Sequence, residues 1–122
     1  MKLSSAFKGW LPIHTAEAHC DIPCGIYDPI SAKIAAQTVQ KMVMRIQAAD
    51  ASSTDANAAN TLARYITVKE EHAQVVKKEL DILWHDYFRP DHLEKYPDLH
   101  TTFWQANKLA SQNKQSVDMD AA

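Results

Sequence analysis

Residues 62–90 have the sequence LARYITVKEEHAQVVKKELDILWHDYFRP, which carries the longest regular pattern in the chain. Its apolar positions recur alternately four and three residues apart, and only Lys69 interrupts them: Leu62, Ile66, Lys69, Ala73, Val76, Leu80, Leu83 and Tyr87. That spacing places these side chains on one face of a helix of about seven turns, as in bundle-forming helices. Pro90 ends the predicted helix, because a proline inside a helix clashes with the preceding turn.

The segment before this helix predicts a first helix of the same bundle. Asp28 can accept a hydrogen bond at the helix N-terminus, and Pro29 suits the first helical position. We expect this helix to run to about Ala49, with one apolar face made of Ile30, Ile34, Val39, Met42 and Ile46. The small polar stretch 50–60 then forms a connection, and the candidates for the cap of the second helix are Ser53, Thr54 and Asp55.

The segment that follows predicts a turn, a connection and a last helix. Residues 89–91 form the turn, and residues 92–96 form a polar and aromatic connection. Pro97 and Asp98 reopen a helix whose apolar positions are Leu99, Phe103, Ala106 and Leu109. Because no strand pattern and no repeat is found, the sequence predicts an all-α fold, an antiparallel up-and-down helical bundle with Met42 and Leu80 in its core.

Length and composition exclude several classes of protein. A chain of 122 residues favours one domain, near the size at which a partner subunit adds stability. Charged residues make up 23% of the chain and the net charge is −2, so there is no basic field for binding nucleic acid. No run approaches the roughly 18 apolar residues of a membrane span, so we expect no membrane partner.

Chemistry is concentrated in residues 19–29, HCDIPCGIYDP, which hold both cysteines of the chain beside a histidine. Thiolate and imidazole donors favour a transition metal over magnesium or calcium, but the spacing alone does not choose the metal. Structural zinc would need a second pair of ligands, and a thioredoxin-like site would need Cys-x-x-Cys. From the residues alone, two interpretations remain open: a metal or redox site, and two ordinary thiols.

Residues 1–18 end in Ala-Glu-Ala at 16–18, which superficially resembles a signal-peptide cleavage site. A secretory leader needs a continuous apolar stretch of about 7–15 residues, and Lys8 and Pro12 interrupt this one. We therefore expect a cytoplasmic protein. Its first 18 residues are either a disordered terminus or a propeptide that ends before His19.

The run 19–29 resembles the nickel-binding hook of nickel-containing superoxide dismutase very closely. Residues 83–88, LWHDYF, and residues 94–100, EKYPDLH, are also similar to that family and occur in the same order. The resemblance covers about residues 19–105 and is far more specific than a cysteine spacing. It implies a precursor whose residues 1–18 are removed by a maturation protease, leaving a domain 19–122 with the hook at 19–27.

The resemblance also implies a ligand set for one nickel ion per subunit. Cleavage frees the α-amine of His19, which joins the backbone amide of Cys20 and the thiolates of Cys20 and Cys24 in a square plane. Such geometry suits nickel(II) or copper(II). The His19 imidazole adds an axial bond in the oxidised state. The implied activity is the disproportionation of superoxide to dioxygen and hydrogen peroxide by cycling between nickel(II) and nickel(III).

Several residues near the hook gain roles from the same resemblance. Tyr27 and Asp21 would order water or control the approach of superoxide, and Tyr87 would come close as a second tyrosine. Arg89 would supply a basic group where the family often has lysine. The simpler alternatives are a turn cap for Asp21, packing for Tyr27, a core position for Tyr87 and a solvated helix end for Arg89.

The chain departs from the family pattern in two ways. A glutamate and an arginine orient the axial imidazole in the well-known form, and the corresponding positions here are Ala35 and His72, of which His72 can serve as a substitute hydrogen-bond partner. The family is a homohexamer of four-helix bundles with a further helix after the equivalent of residues 116–120. Because this sequence stops at Ala122, we expect that last helix to be missing.

The sequence thus predicts a nickel superoxide dismutase, an oxidoreductase with superoxide as its small-molecule substrate. The main alternative is a non-catalytic nickel- or copper-binding helical protein that uses the same hook. A second alternative is a helical interaction module with incidental thiols.

Overall fold

The computed structural model describes residues 25–122, so the leader and most of the hook lie outside the described residues. Four α-helices follow in order: α1 (Ile30–Gln47), α2 (Ala56–Ile82), α3 (Pro90–Lys95) and α4 (Leu99–Gln115). A π-helical segment, Leu83–Tyr87, continues α2 without a break. Residues 25–122 contain no strand, and the predicted all-α helical bundle is confirmed.

The three long helices pack antiparallel, with α2 between α1 and α4. Near the end of α1, Arg45 donates a hydrogen bond to the Tyr65 hydroxyl near the start of α2, at 3.2 Å. The other end of α2 meets the start of α4, where the Trp84 and Phe103 ring centroids are 5.8 Å apart. None of the helices within residues 25–122 is both long and apolar enough to span a membrane.

Acidic side chains accept hydrogen bonds from backbone N–H groups at the starts of α1 and α2. Asp28 Oδ1 accepts from the Ile30 N–H at 2.9 Å, but α1 begins at Ile30, so Pro29 holds the cap position and not the first helical position that the sequence predicted. Of the three candidate caps for α2, Asp55 accepts from the Ala58 N–H at 2.8 Å. In the connection between the helices, hydrogen bonds from the Ser52 hydroxyl and N–H hold the pKa of Asp50 below its usual range.

The buried face of α1 differs from the predicted one. The helix buries Ala32, Ala35, Val39 and Val43, whereas Ile30 and Ile34 are 39% and 55% exposed. The prediction was wrong for the two isoleucines because alanines at the contact let α1 approach α2 closely, and a stripe of small residues has the same helical spacing as a stripe of large ones. Met42 and Leu80 are half-buried and are not in the innermost core.

Lys69 interrupts the apolar stripe of α2 but is only 2% exposed. Its ammonium group donates to the carbonyl of Asn113, to that of Lys114 at 3.3 Å and to that of Ser116 at 3.0 Å, and it pairs with the Glu70 carboxylate at 3.1 Å. The last carbonyls of a helix lack partners within the helix and attract a cation. Lys69 therefore caps the C-terminal end of α4.

The chain after α4 returns to the bundle. Ala121 is buried, and Met119 and Ala122 pack against the innermost cluster formed by Val39, Val43 and Ala73. The segment after α4 thus packs against both α1 and α2.

The predicted turn and connection at residues 89–96 was wrong, because helix α3 begins at Pro90. Proline fixes a helical backbone angle and has no N–H to leave unpaired at a first helical position. At the same end, the N–H of Arg89 donates to His92 Nδ1 at 3.1 Å. These two features start a short helix where the sequence pattern is too brief to predict one.

Candidate functional site

The π-helical segment sets the direction of Tyr87. The Phe88 N–H donates to the Leu83 carbonyl at 3.2 Å, which closes a turn one residue wider than that of an α-helix. Leu83 is buried and Tyr87 is 42% exposed, although residues four apart in an α-helix share a face. The wide turn therefore moves Tyr87 away from the apolar stripe that the sequence pattern assigns to it. Such turns recur at functional sites.

Tyr27, the last residue of the hook, contacts Tyr87. The two ring centroids lie 5.2 Å apart with the ring planes at 46°. Gly25, the residue after Cys24, has φ of +73°, a left-handed conformation that side chains other than glycine rarely adopt. The hydrogen bond of Asp28 to the start of α1 fixes the chain on the other side of Tyr27. The segment that leads out of the hook is thus held against the end of the second helix.

The two rings line a cavity of about 290 Å³, which we call the tyrosine cavity. It is lined by Gly25 and Tyr27, by Asp86 and Tyr87 of the π-helical segment, and by Arg89, Asp91 and His92 at the start of α3. Two carboxylates and one guanidinium therefore face the same space. The structure brings together Tyr27, Tyr87 and Arg89, which the sequence singled out.

His92 also belongs to the tyrosine cavity and was not predicted. Its ring stacks on that of Tyr87, with centroids 5.3 Å apart and planes at 17°. The sequence pattern predicts a connection at this histidine, whereas the structure has it in α3. The available signal was Pro90, because a proline at a first helical position would have put His92 within a helix turn of the same short segment.

The two positions that depart from the family pattern lie on facing helices. Ala35 of α1 is 2% exposed, and His72 of α2 is half-buried. His72 Nδ1 lies 2.9 Å from the Val68 carbonyl oxygen. Because a carbonyl only accepts, Nδ1 carries the proton in this contact, and Nε2 is the nitrogen left for another partner.

The expected metal donors His19, Cys20 and Cys24, together with Asp21, lie outside the described residues. Within residues 25–122, no group of three histidine, cysteine or acidic side chains is arranged to hold a metal ion. The donor chemistry of the hook, two thiolates and an imidazole in one short run, fits a transition metal such as nickel.

Comparisons with known proteins agree on one family. A family model described as nickel-containing superoxide dismutase matches residues 14–122. Superoxide dismutase (Ni) of Streptomyces seoulensis is 42% identical over 101 residues, which cover 83% of this chain and 72% of that protein. The Streptomyces coelicolor protein of the same name is 37% identical over 107 residues, covering 88% and 76%. A crystal structure of Ni-containing superoxide dismutase, with nickel ligation of the oxidized state, superposes with a TM-score of 0.71 at 40% identity, covering 84% of this chain and 82% of that one.

Proposed function

The chain belongs to the nickel-containing superoxide dismutase family, and we propose that His19, Cys20 and Cys24 hold its nickel ion. It is an oxidoreductase that acts on superoxide. The observation that carries the ligand proposal is the extent of the family match, which begins at residue 14 and so includes the whole hook. The non-catalytic alternative is not favoured, because both curated relatives are named for the enzymatic activity.

Formation of the full donor set depends on proteolysis in this proposal. Removal of residues 1–18 by a protease frees the α-amine of His19, which adds a nitrogen donor to the two thiolates and the imidazole. Thiolates favour nickel over harder divalent ions. When bound, nickel supplies one-electron redox chemistry, taking an electron from one superoxide and returning it to a second.

Tyr27 and Tyr87 of the tyrosine cavity handle protons and substrate approach. Each hydrogen peroxide requires two protons, and the hydroxyl groups of Tyr27 and Tyr87 can donate hydrogen bonds to water or to superoxide. The contact between these two rings supports joint action at the exit of the hook. We assign Asp21 the same task from its place in the hook, and we assign His72, through Nε2, the role of a hydrogen-bond partner for the His19 imidazole that would hold nickel.

We further propose a cytoplasmic homohexamer with one nickel ion in each subunit. Large apolar side chains stand exposed at the start of the described chain, where Ile26, Ile30 and Ile34 are 53%, 39% and 55% accessible. Exposed apolar groups that occur close together are typical of surfaces covered by another protein chain. This part of the chain directly follows the hook, so subunit contacts there would also enclose the nickel site.

The proposed function is tested with a chain that begins at His19, loaded with nickel under reducing conditions. We expect rapid decay of superoxide in stopped-flow measurements and an electron paramagnetic resonance signal of nickel(III) in the oxidised sample. A zinc-loaded sample is the control, since zinc has no redox chemistry. Stoichiometric nickel without superoxide decay and without the nickel(III) signal would favour the non-catalytic alternative.

Arg89 is expected to attract superoxide to the tyrosine cavity. Replacing it with glutamine removes the one guanidinium that faces the cavity beside Asp86 and Asp91. We expect kcat/KM to fall about threefold at low ionic strength and the difference to shrink as salt screens the charges.

Asp91→Asn is the matched variant for Arg89→Gln, because it removes the opposite charge from the same cavity. It should raise kcat/KM at low salt. Equal rates in the parent and both variants across a salt series would show that these charges do not steer the substrate.

A further inference from the structure

We propose that His92 is a positioning residue that holds the Tyr87 ring, and through it the contact with Tyr27, in the orientation needed for superoxide dismutation. The inference deepens the proposed function and rests on it. It concerns a residue to which we assign no direct contact with nickel or with the substrate.

The position of the Tyr87 ring is not set by burial in the core. The residue is 42% exposed and lies at the end of the π-helical segment. Among residues 25–122, its ring contacts three others: Tyr27 at 5.2 Å and 46°, Phe88 at 5.2 Å and 69°, and His92 at 5.3 Å and 17°. The histidine contact is the one closest to parallel, and it therefore covers the face of the tyrosine ring.

The His92 ring is itself held in place. Its Nδ1 accepts the Arg89 N–H at 3.1 Å, immediately before the proline that begins α3. This bond requires Nδ1 without a proton, so the neutral ring carries its hydrogen on Nε2. His92 also contacts the Phe88 ring edge-on at 5.8 Å. Because the His92 ring is held at the start of α3, it can restrict the orientation of the more exposed Tyr87 ring.

The consequence for the reaction follows from the geometry of the tyrosine cavity. A Tyr87 ring without its stacking partner can populate other side-chain rotamers, which moves its hydroxyl and breaks the contact with Tyr27. The stacking energy of one aromatic pair corresponds to roughly a threefold to tenfold change in population. We expect the superoxide rate per bound nickel to fall by about that factor, with nickel content unchanged.

Three variants separate the ring of His92 from its hydrogen bond. His92→Phe keeps a ring and loses the acceptor, His92→Asn keeps an acceptor and loses the ring, and His92→Ala loses both. We expect His92→Phe to stay within about twofold of the parent, and the other two to lose activity threefold to tenfold. His85→Ala is the control, because His85 is an exposed histidine of the π-helical segment that does not line the tyrosine cavity.

A second readout uses the nickel-free chain and does not depend on activity. Nuclear Overhauser effects between the ring protons of Tyr27 and Tyr87 should be strong in the parent and in His92→Phe, and weak in His92→Asn and His92→Ala. A His92→Ala variant that keeps either the parental ring contact or the parental rate would overturn the inference. If the nickel-loaded parent is inactive, the proposed function fails, and the ring contact still decides whether His92 positions Tyr87.

Discussion

Replacing Cys24 with serine is expected to abolish both nickel uptake and superoxide dismutation. A serine hydroxyl does not ionise near neutral pH, so it cannot offset the positive charge of the metal ion as a thiolate does. Its oxygen is also a harder donor than a thiolate and binds a transition metal such as nickel less well. Loss of a direct ligand should cost more than the roughly 10- to 100-fold that loss of a supporting partner costs. The measurement is nickel content by mass spectrometry of the desalted chain, followed by superoxide decay.

The fold itself provides the control for the cysteine variant. The residues that form the bundle begin at Ile30, beyond the hook, so the nickel-free variant should unfold at the same temperature as the nickel-free parent. Cys20→Ser should behave in the same way. If a variant with both Cys20→Ser and Cys24→Ser still bound stoichiometric nickel, the two cysteines would be ordinary thiols and not ligands.

A single residue retained before His19 is expected to abolish activity as completely as loss of a cysteine. In a chain that begins at Ala18, the nitrogen of His19 is an amide and no longer an amine, so the donor set changes although every side chain is present. We expect the chain beginning at His19 to consume superoxide and the chain beginning at Ala18 to do so at least about a hundredfold more slowly.

Mass spectrometry of each intact chain verifies its first residue. A chain that begins at His19 and carries one extra alanine after Ala122 is the matched control, because it has the same added mass at the other end. Equal superoxide decay by the chains beginning at Ala18 and His19 would contradict the role of the α-amine and would leave the side chains as the complete donor set.

The sequence predicted the fold wherever the pattern is long and the ends are marked. The stripe from Leu62 to Leu83 spans α2 and the start of the π-helical segment, and its beginning is marked by the cap at Asp55, so both depend on local chemistry. The buried face of α1 was missed at Ile30 and Ile34, because which of two overlapping stripes faces inward depends on how closely the neighbouring helix can approach. That distance is a property of the packed pair and not of either helix alone.

The residues of the hook could be predicted from the sequence, but not all contacts of the tyrosine cavity could. The donor residues of the hook stand next to one another in sequence, so their chemistry can be recognised without a fold. The meeting of Tyr27 with Tyr87 was implied by family resemblance, whereas their contact with His92 was not. It depends on a wide helical turn and on a six-residue helix, and neither has a periodic pattern long enough to detect.

The buried ammonium of Lys69 has a consequence for how the helices select their alignment. Its carbonyl partners lie 44 to 47 residues later in the chain, at the end of α4. If α4 slid along α2 by one turn, about 5.4 Å, the charge would be buried without those acceptors. Only the pair with Glu70 of the same helix would remain, and a buried charge that has lost its other partners is far costlier than a shifted apolar contact. Lys69 thus favours one alignment of α4 along α2, whereas the small apolar side chains around it would tolerate several.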